Sequence, residues 1–138
     1  MLVEVFGARE DEIDQTLVED GPDGRFAAVE ANFVSDVNIA TLGEILGAGT
    51  YDDLIEQTEP SRGTENGEVG VAAVPDAVRD AVASADDLRE VAKRWAATAE
   101  LRLDLVSVDD AYETLSGLSA LAREARERGR RLWLWSSL

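Results

Sequence analysis

The stretch EDGPDGRFAAVE, Glu19 to Glu30, comes nearest to metal chemistry in residue type and spacing. Laid on the calcium loop of an EF-hand, Asp23 takes the fifth position, Gly24 the sixth and Phe26 the apolar eighth, and Glu30 takes the bidentate twelfth. The first position holds Glu19 rather than aspartate, the third holds Gly21, which has no ligating side chain, and Pro22 restricts the turn. An acidic surface turn is the expectation here, with no metal site.

Three carboxylate pairs, Asp52–Asp53, Asp86–Asp87 and Asp109–Asp110, have the residue types for magnesium binding or general acid–base work. Each is expected in the first turn of a helix, where negative charge meets free N–H groups and the positive end of the dipole. The glycines of GEILGAGT, residues 43–50, have no lysine after them and no strand close before them. They match neither a phosphate loop nor a dinucleotide fingerprint. The chain has no histidine and no cysteine, which removes the usual general base, the thiol nucleophile and the usual transition-metal ligands. No catalytic residue and no cofactor are expected.

One constellation is less easily absorbed by structure. Residues 1–80 hold 19 acids and 4 bases, whereas residues 81–138 hold 10 and 9. Five arginines, Arg123, Arg126, Arg128, Arg130 and Arg131, lie in the last sixteen residues, beside the closing RLWLWSSL with Trp133 and Trp135. Cations near a helix C-terminus complement its dipole, and Arg123–Glu127 and Glu124–Arg128 have i,i+4 spacing. Arg130 and Arg131 are less explained. With Trp95, Trp133 and Trp135 they are the candidate binding residues, either lining a pocket for a carboxylate or phosphate or holding the acidic half of the same chain.

The elements that must position these residues follow from periodicity and capping. LVEVFGA, 2–8, alternates as a strand, with Val3 and Val5 on one face and Leu2 and Phe6 on the other. A short acidic helix is expected near 10–19, stopped at Gly21, and a strand over part of 25–34. Ser35 caps a helix with Ile39, Leu42, Ile45 and Leu46 on one face, and Thr50 opens another. TEPSRGTENGE, 58–68, reads as a flexible loop, and VGVAAV, 69–74, as a strand leading through Pro75 into a helix. Ser84 and Asp87 resemble a capping box for a helix with its stripe at Leu88, Val91, Ala92, Trp95 and Ala99. Ser107 and Asp110 repeat the device before the longest helix, about 108–128, in which Tyr112, Leu115, Leu118, Ala122 and Ala125 face one way. Gly129 ends it, and a final strand puts Leu132 and Leu134 on one face and Trp133 and Trp135 on the other. Both faces being apolar, the strand should be covered on both sides, one by the preceding helix and part of the other by the helix carrying Trp95. The expected fold is α+β: one domain over 1–138, a small sheet packed with several helices.

The segments VNIATLGEILGAGTYDDL, VPDAV, LREVAKRWAATAEL and LSALAREARERGRRLWLWSSL resemble an uncharacterised family of small bacterial and archaeal proteins. More loosely they resemble the YfbM-like domains of unknown function, which also end in a long helix, a glycine and an apolar strand. The resemblance covers about residues 35–138. It implies a compact α+β domain and no activity, and it assigns no functional residue.

Net charge is −16, and Lys93 is the single lysine beside twelve arginines. That composition resembles proteins of salt-accumulating halophiles, and its field opposes binding to nucleic acid or an anionic membrane. No apolar run reaches the ~20 residues of a membrane helix, and MLVEVFGARE has no signal-peptide pattern, so a cytoplasmic location is expected. The leading expectation is a non-catalytic accessory or regulatory module that binds another protein or itself. The alternatives are an enzyme or small-molecule binder with an anion pocket near the C-terminal arginines and tryptophans, and an immunity-type protein that masks a basic partner.

Overall fold

The structure, a computed structural model, describes residues 2–58, 60–64 and 66–138. Its five strands are β1 (Leu2–Ala8), β2 (Ala28–Glu30), β3 (Pro60–Gly63), β4 (Val69–Ala73) and β5 (Arg131–Ser137). They form one antiparallel sheet in the order β2-β1-β5-β4-β3. Seven helices accompany it: α1 (Gln15–Asp20), α2 (Asp36–Ile45), α3 (Tyr51–Gln57), α4 (Asp76–Ser84), α5 (Leu88–Ala96), α6 (Ala99–Leu103) and α7 (Val108–Glu127). The fold is α+β, and a long C-terminal helix feeds a tryptophan-bearing strand in the middle of the sheet.

Period-2 alternation decides which side chains meet. Val3, Val5, Leu132 and Leu134 point into the larger core, which they share with Leu115, Leu118, Ala122 and Ala125 of α7. Phe6, Val71, Trp133 and Trp135 point into a second core, closed by Ile13, Leu17 and Val18. The strand with two apolar faces is therefore covered on both. The cover differs from expectation in one respect: α5, with Trp95, belongs to the same core as α7 and never reaches the tryptophan face. The short α1 occupies that face instead.

Capping fixes most helix starts. The Ser35, Thr50 and Ser107 hydroxyls accept from the N–H groups of Asn38, Asp53 and Asp110 at 3.2, 3.3 and 3.0 Å. The expected Ser84–Asp87 box is not formed. Asp87 is itself the cap, accepting from the Glu90 N–H at 3.3 Å, while Ser84 closes α4. So two of the three carboxylate pairs stand in a helix's first turn, and the Asp86–Asp87 pair precedes its helix.

Other departures have local causes. The expected helix near 10–19 is divided into a 3-10 turn, Glu10–Glu12, and α1, because Asp14 is extended and caps Leu17 at 2.9 Å. The α5 stripe stops at Ala96, and Ala99 opens α6. Within the expected loop 58–68, Pro60–Gly63 pairs with β4 as an edge strand. Its proline and glycine argue against a strand locally, but an edge tolerates both and the partner strand supplies the ladder. Glu59 and Glu65 of that segment lie outside the described residues. Gly43 lies inside α2, where a Cβ would come within 2.7 Å of Leu54 and 2.8 Å of Val78. It is there for close helix packing.

Candidate functional site

The C-terminal residues are built into the molecule one by one. Trp133 is 1% exposed and donates its indole N–H to the Ala8 carbonyl at 2.9 Å. Trp135, 6% exposed, donates to the Val18 carbonyl at 2.9 Å. Its ring lies against Gly21, whose φ of +83° ends α1 and whose missing Cβ makes room at 3.2 Å. Trp95 is fully buried on the opposite side of the sheet, donating to the Asn38 carbonyl at 3.1 Å and meeting Phe33 edge-on at 5.7 Å. Of the two expectations for Arg130, Arg131, Trp95, Trp133 and Trp135, a shared pocket or contacts within the chain, the structure does not bring the five into one pocket. The sheet separates Trp95 from Trp133 and Trp135, and every indole donor is already used.

The arginines also have partners inside the chain. Arg130 and Arg131, as neighbours in an extended segment, diverge: Arg130 reaches Glu12 at 3.9 Å and Arg131 reaches Asp76 at 3.6 Å. Both carboxylates belong to the acidic first half. Arg123 donates to the Ala83 carbonyl at 3.1 Å, not to Glu127, and Arg126 donates to the Ser84 hydroxyl at 2.8 Å. These two satisfy the C-terminal end of α4. A small recess of about 180 Å³ beside Arg130 also contains Arg25 and Arg128. Their guanidinium groups pair with Asp14 at 2.8 Å and Glu124 at 3.6 Å, so the recess carries no unopposed positive charge.

Among the described residues, no group of three or more Asp or Glu side chains is placed to hold a metal ion. The calcium-like segment is divided between the end of α1, a turn in which the Pro22 carbonyl accepts from Arg25 and Phe26, and edge strand β2. Like charges crowd at that edge. Burial and then the Glu30 and Asp23 carboxylates raise the Glu4 pKa. Asp14 moves the other way, lowered by its hydrogen bonds from Arg25 and from the Leu17 N–H.

A different segment stands out once exposure and backbone are combined. Leu103 and Leu105 are 83% and 88% exposed, and Leu105 has a φ of +57°. The cause lies in how α6 ends. The Val106 N–H donates to the Leu101 carbonyl at 3.0 Å and the Leu105 N–H to the Arg102 carbonyl at 3.1 Å, the paired closing bonds that put the intervening residue in the left-handed region. Glycine normally fills that place. A leucine there costs roughly 1–2 kcal/mol of backbone strain, and at this exposure burial returns almost none of it. The sequence did carry a signal: LRLDLVSVDD ends one helix and caps the next with no glycine between.

No family model matches the chain, and neither the curated proteins nor the solved structures searched contain a match. No helix of the described residues is long and apolar enough to cross a membrane.

Proposed function

We propose that the chain is a non-catalytic accessory module that binds another protein through the knuckle formed by Leu103 and Leu105. The observation that carries this reading is Leu105 itself: a strained, water-facing leucine where glycine would be more stable. Strain of this kind is retained where the side chain has work to do outside the fold. Two exposed leucines two residues apart offer a small apolar surface that a partner's socket would remove from water. Residues 98–110 contain four acids and one arginine, so the complementary rim of the partner is basic. The buried tryptophans and internally paired arginines support the choice of this segment over the C-terminal strand.

The test compares the parent with a Leu103→Ser, Leu105→Gly variant as bait at high salt, using extract of the source cells. A partner with a basic, apolar surface should be retained by the parent and lost by the variant, with melting temperature undiminished. Equal retention by both refutes the knuckle. Sedimentation of the chain alone separates self-association, since a dimer that dissolves in the variant makes the partner a second copy rather than a different protein.

A further inference from the structure

We infer that residues 9–26 form a salt-held cover, closed over the tryptophan face of the sheet in concentrated salt and released as a unit when ionic strength falls, while the larger core stays folded. The fold divides at this line. The second core is much the smaller, and its outer side is supplied by Ile13, Leu17 and Val18, with Phe26 at the margin.

Backbone bonding does not tie the cover to the sheet. Among the described residues its bonds stay within it: the Val18 N–H donates to the Asp14 carbonyl, Gly21 to Leu17, and Arg25 and Phe26 to Pro22. One hydrogen bond crosses to the rest of the molecule, from the Trp135 indole N–H to the Val18 carbonyl at 2.9 Å. A segment bonded to itself and resting on a few apolar contacts opens locally, at less cost than global unfolding.

Charge supplies the trigger. The cover carries seven acids and two arginines, a net of −5. Both arginines are spent inside it, Arg9 on Asp11 at 3.2 Å and Arg25 on Asp14 at 2.8 Å. One ion pair reaches outside, Glu12 to Arg130 at 3.9 Å. What the cover meets on the sheet is acidic. Leu2 and Phe6 pack on the second core, so Glu4 between them lies on the same face, with Glu30 as its cross-strand neighbour. Asp23 of the cover adds a third carboxylate: burial first, then Glu30 and Asp23, raise the Glu4 pKa. This repulsion reaches about 10 Å at 0.1 M salt and about 3 Å at 1 M, whereas the apolar contacts do not depend on screening. The α5 and α7 helices lie in residues 81–138, with ten acids and nine bases, so dilution spares them. Release uncovers Phe6, Val71, Trp133 and Trp135, an apolar sheet face that is closed in concentrated salt.

Native-state hydrogen exchange, followed by NMR at fixed pH along a KCl series from about 2 M to about 0.1 M, tests this. The Val18 and Gly21 N–H groups and the Trp135 indole N–H should exchange roughly tenfold faster, relative to the α7 amides, at the low end than at the high end. The Trp95 indole N–H, buried in the larger core, should keep step with α7. A Glu10→Gln, Glu19→Gln, Asp20→Asn, Asp23→Asn variant, which leaves the Asp14 cap and the Glu12 pair intact, should restore the cover's protection in low salt. Neutralising Asp86, Asp104, Glu113 and Glu127 should leave the ratio where it is. The inference is overturned if the cover and α7 lose protection in equal proportion, since opening is then global, or if the cover stays protected throughout. It is overturned as well if neutralising the cover restores nothing, or no more than neutralising the distant acids does.

Discussion

At the scale of single residues, three side chains set testable energies. Leu105→Gly removes left-handed strain at a position with almost no burial to lose. It should raise stability by about 1 kcal/mol in equilibrium denaturation, against the general tendency of mutations to destabilise. If the variant is weaker than the parent, Leu105 is held by contacts in the fold and the protein-binding reading loses its carrier. Asp14 and Glu4 predict opposite pH dependences. The Asp14 pKa is depressed in the folded state, chiefly by the Arg25 hydrogen bond, so its contribution is present above the ordinary carboxylate range and is lost as pH falls through the depressed value. Asp14→Asn should therefore destabilise at neutral pH and approach the parent in strong acid. The Glu4 pKa is raised, first by burial and then by Glu30 and Asp23. Its contribution is full below the ordinary range and is lost as pH rises through the raised value. Glu4→Gln should be more stable than the parent at neutral pH and equal to it in acid. Denaturant curves across that span check both signs, and a Glu4→Gln variant weaker than the parent at neutral pH contradicts the crowding.

Among the elements, β5 holds the two cores apart and joins them. Both its tryptophans are buried with their N–H groups paired, so Trp133→Ala and Trp135→Ala should each cost roughly 3–5 kcal/mol, Trp133 the more because it is the more buried. Stability unchanged in both would return the strand to consideration as a recognition surface. Legibility in the sequence divides along the same physical line. Where one local pattern decides, the residues announced the element: alternation in β1 and β5, the Ser35, Thr50 and Ser107 caps, and the α7 stripe. Where pairing or packing decides, they did not. Pro60–Gly63 becomes a strand only because β4 lies beside it, and α1 rather than α5 covers the tryptophans because the short acidic segment folds back through Asp14. Of the candidate site, the arginines and tryptophans were visible as unusual types. Their burial and internal pairing depended on long-range contacts that no spacing encodes. Leu105 is ordinary as an isolated leucine in the sequence and distinctive only through its φ.

For the whole molecule the dominant quantity is charge. A net of −16 on 138 residues is a self-repulsion spread over the surface, and the few ion pairs oppose it only locally. Screening acts on all of it at once: the Debye length falls from about 10 Å at 0.1 M salt to about 3 Å at 1 M. The melting temperature should therefore climb steeply with KCl and gain most of its rise below about 1 M. An ion-exclusion effect would instead keep growing with concentration and be much larger in sulfate. The uneven placement of charge sharpens the expectation. Residues 1–80 carry net −15 (19 acids, 4 bases) and residues 81–138 carry −1 (10 acids, 9 bases). In that first half the Glu4 pKa is raised first by burial and then by the neighbouring Glu30 and Asp23 carboxylates. Neutralising Asp20, Asp23, Glu30 and Glu56, all exposed, to Asn or Gln should lift low-salt stability and flatten the salt curve. The same treatment of Asp86, Asp104, Glu113 and Glu127, equally exposed, should do less, because residues 81–138 are close to neutral as a whole. Calorimetry of the parent and both variants across the salt series measures the slopes. A parent curve flat in KCl removes charge repulsion as the governing term, and equal flattening by the two variants removes the asymmetry.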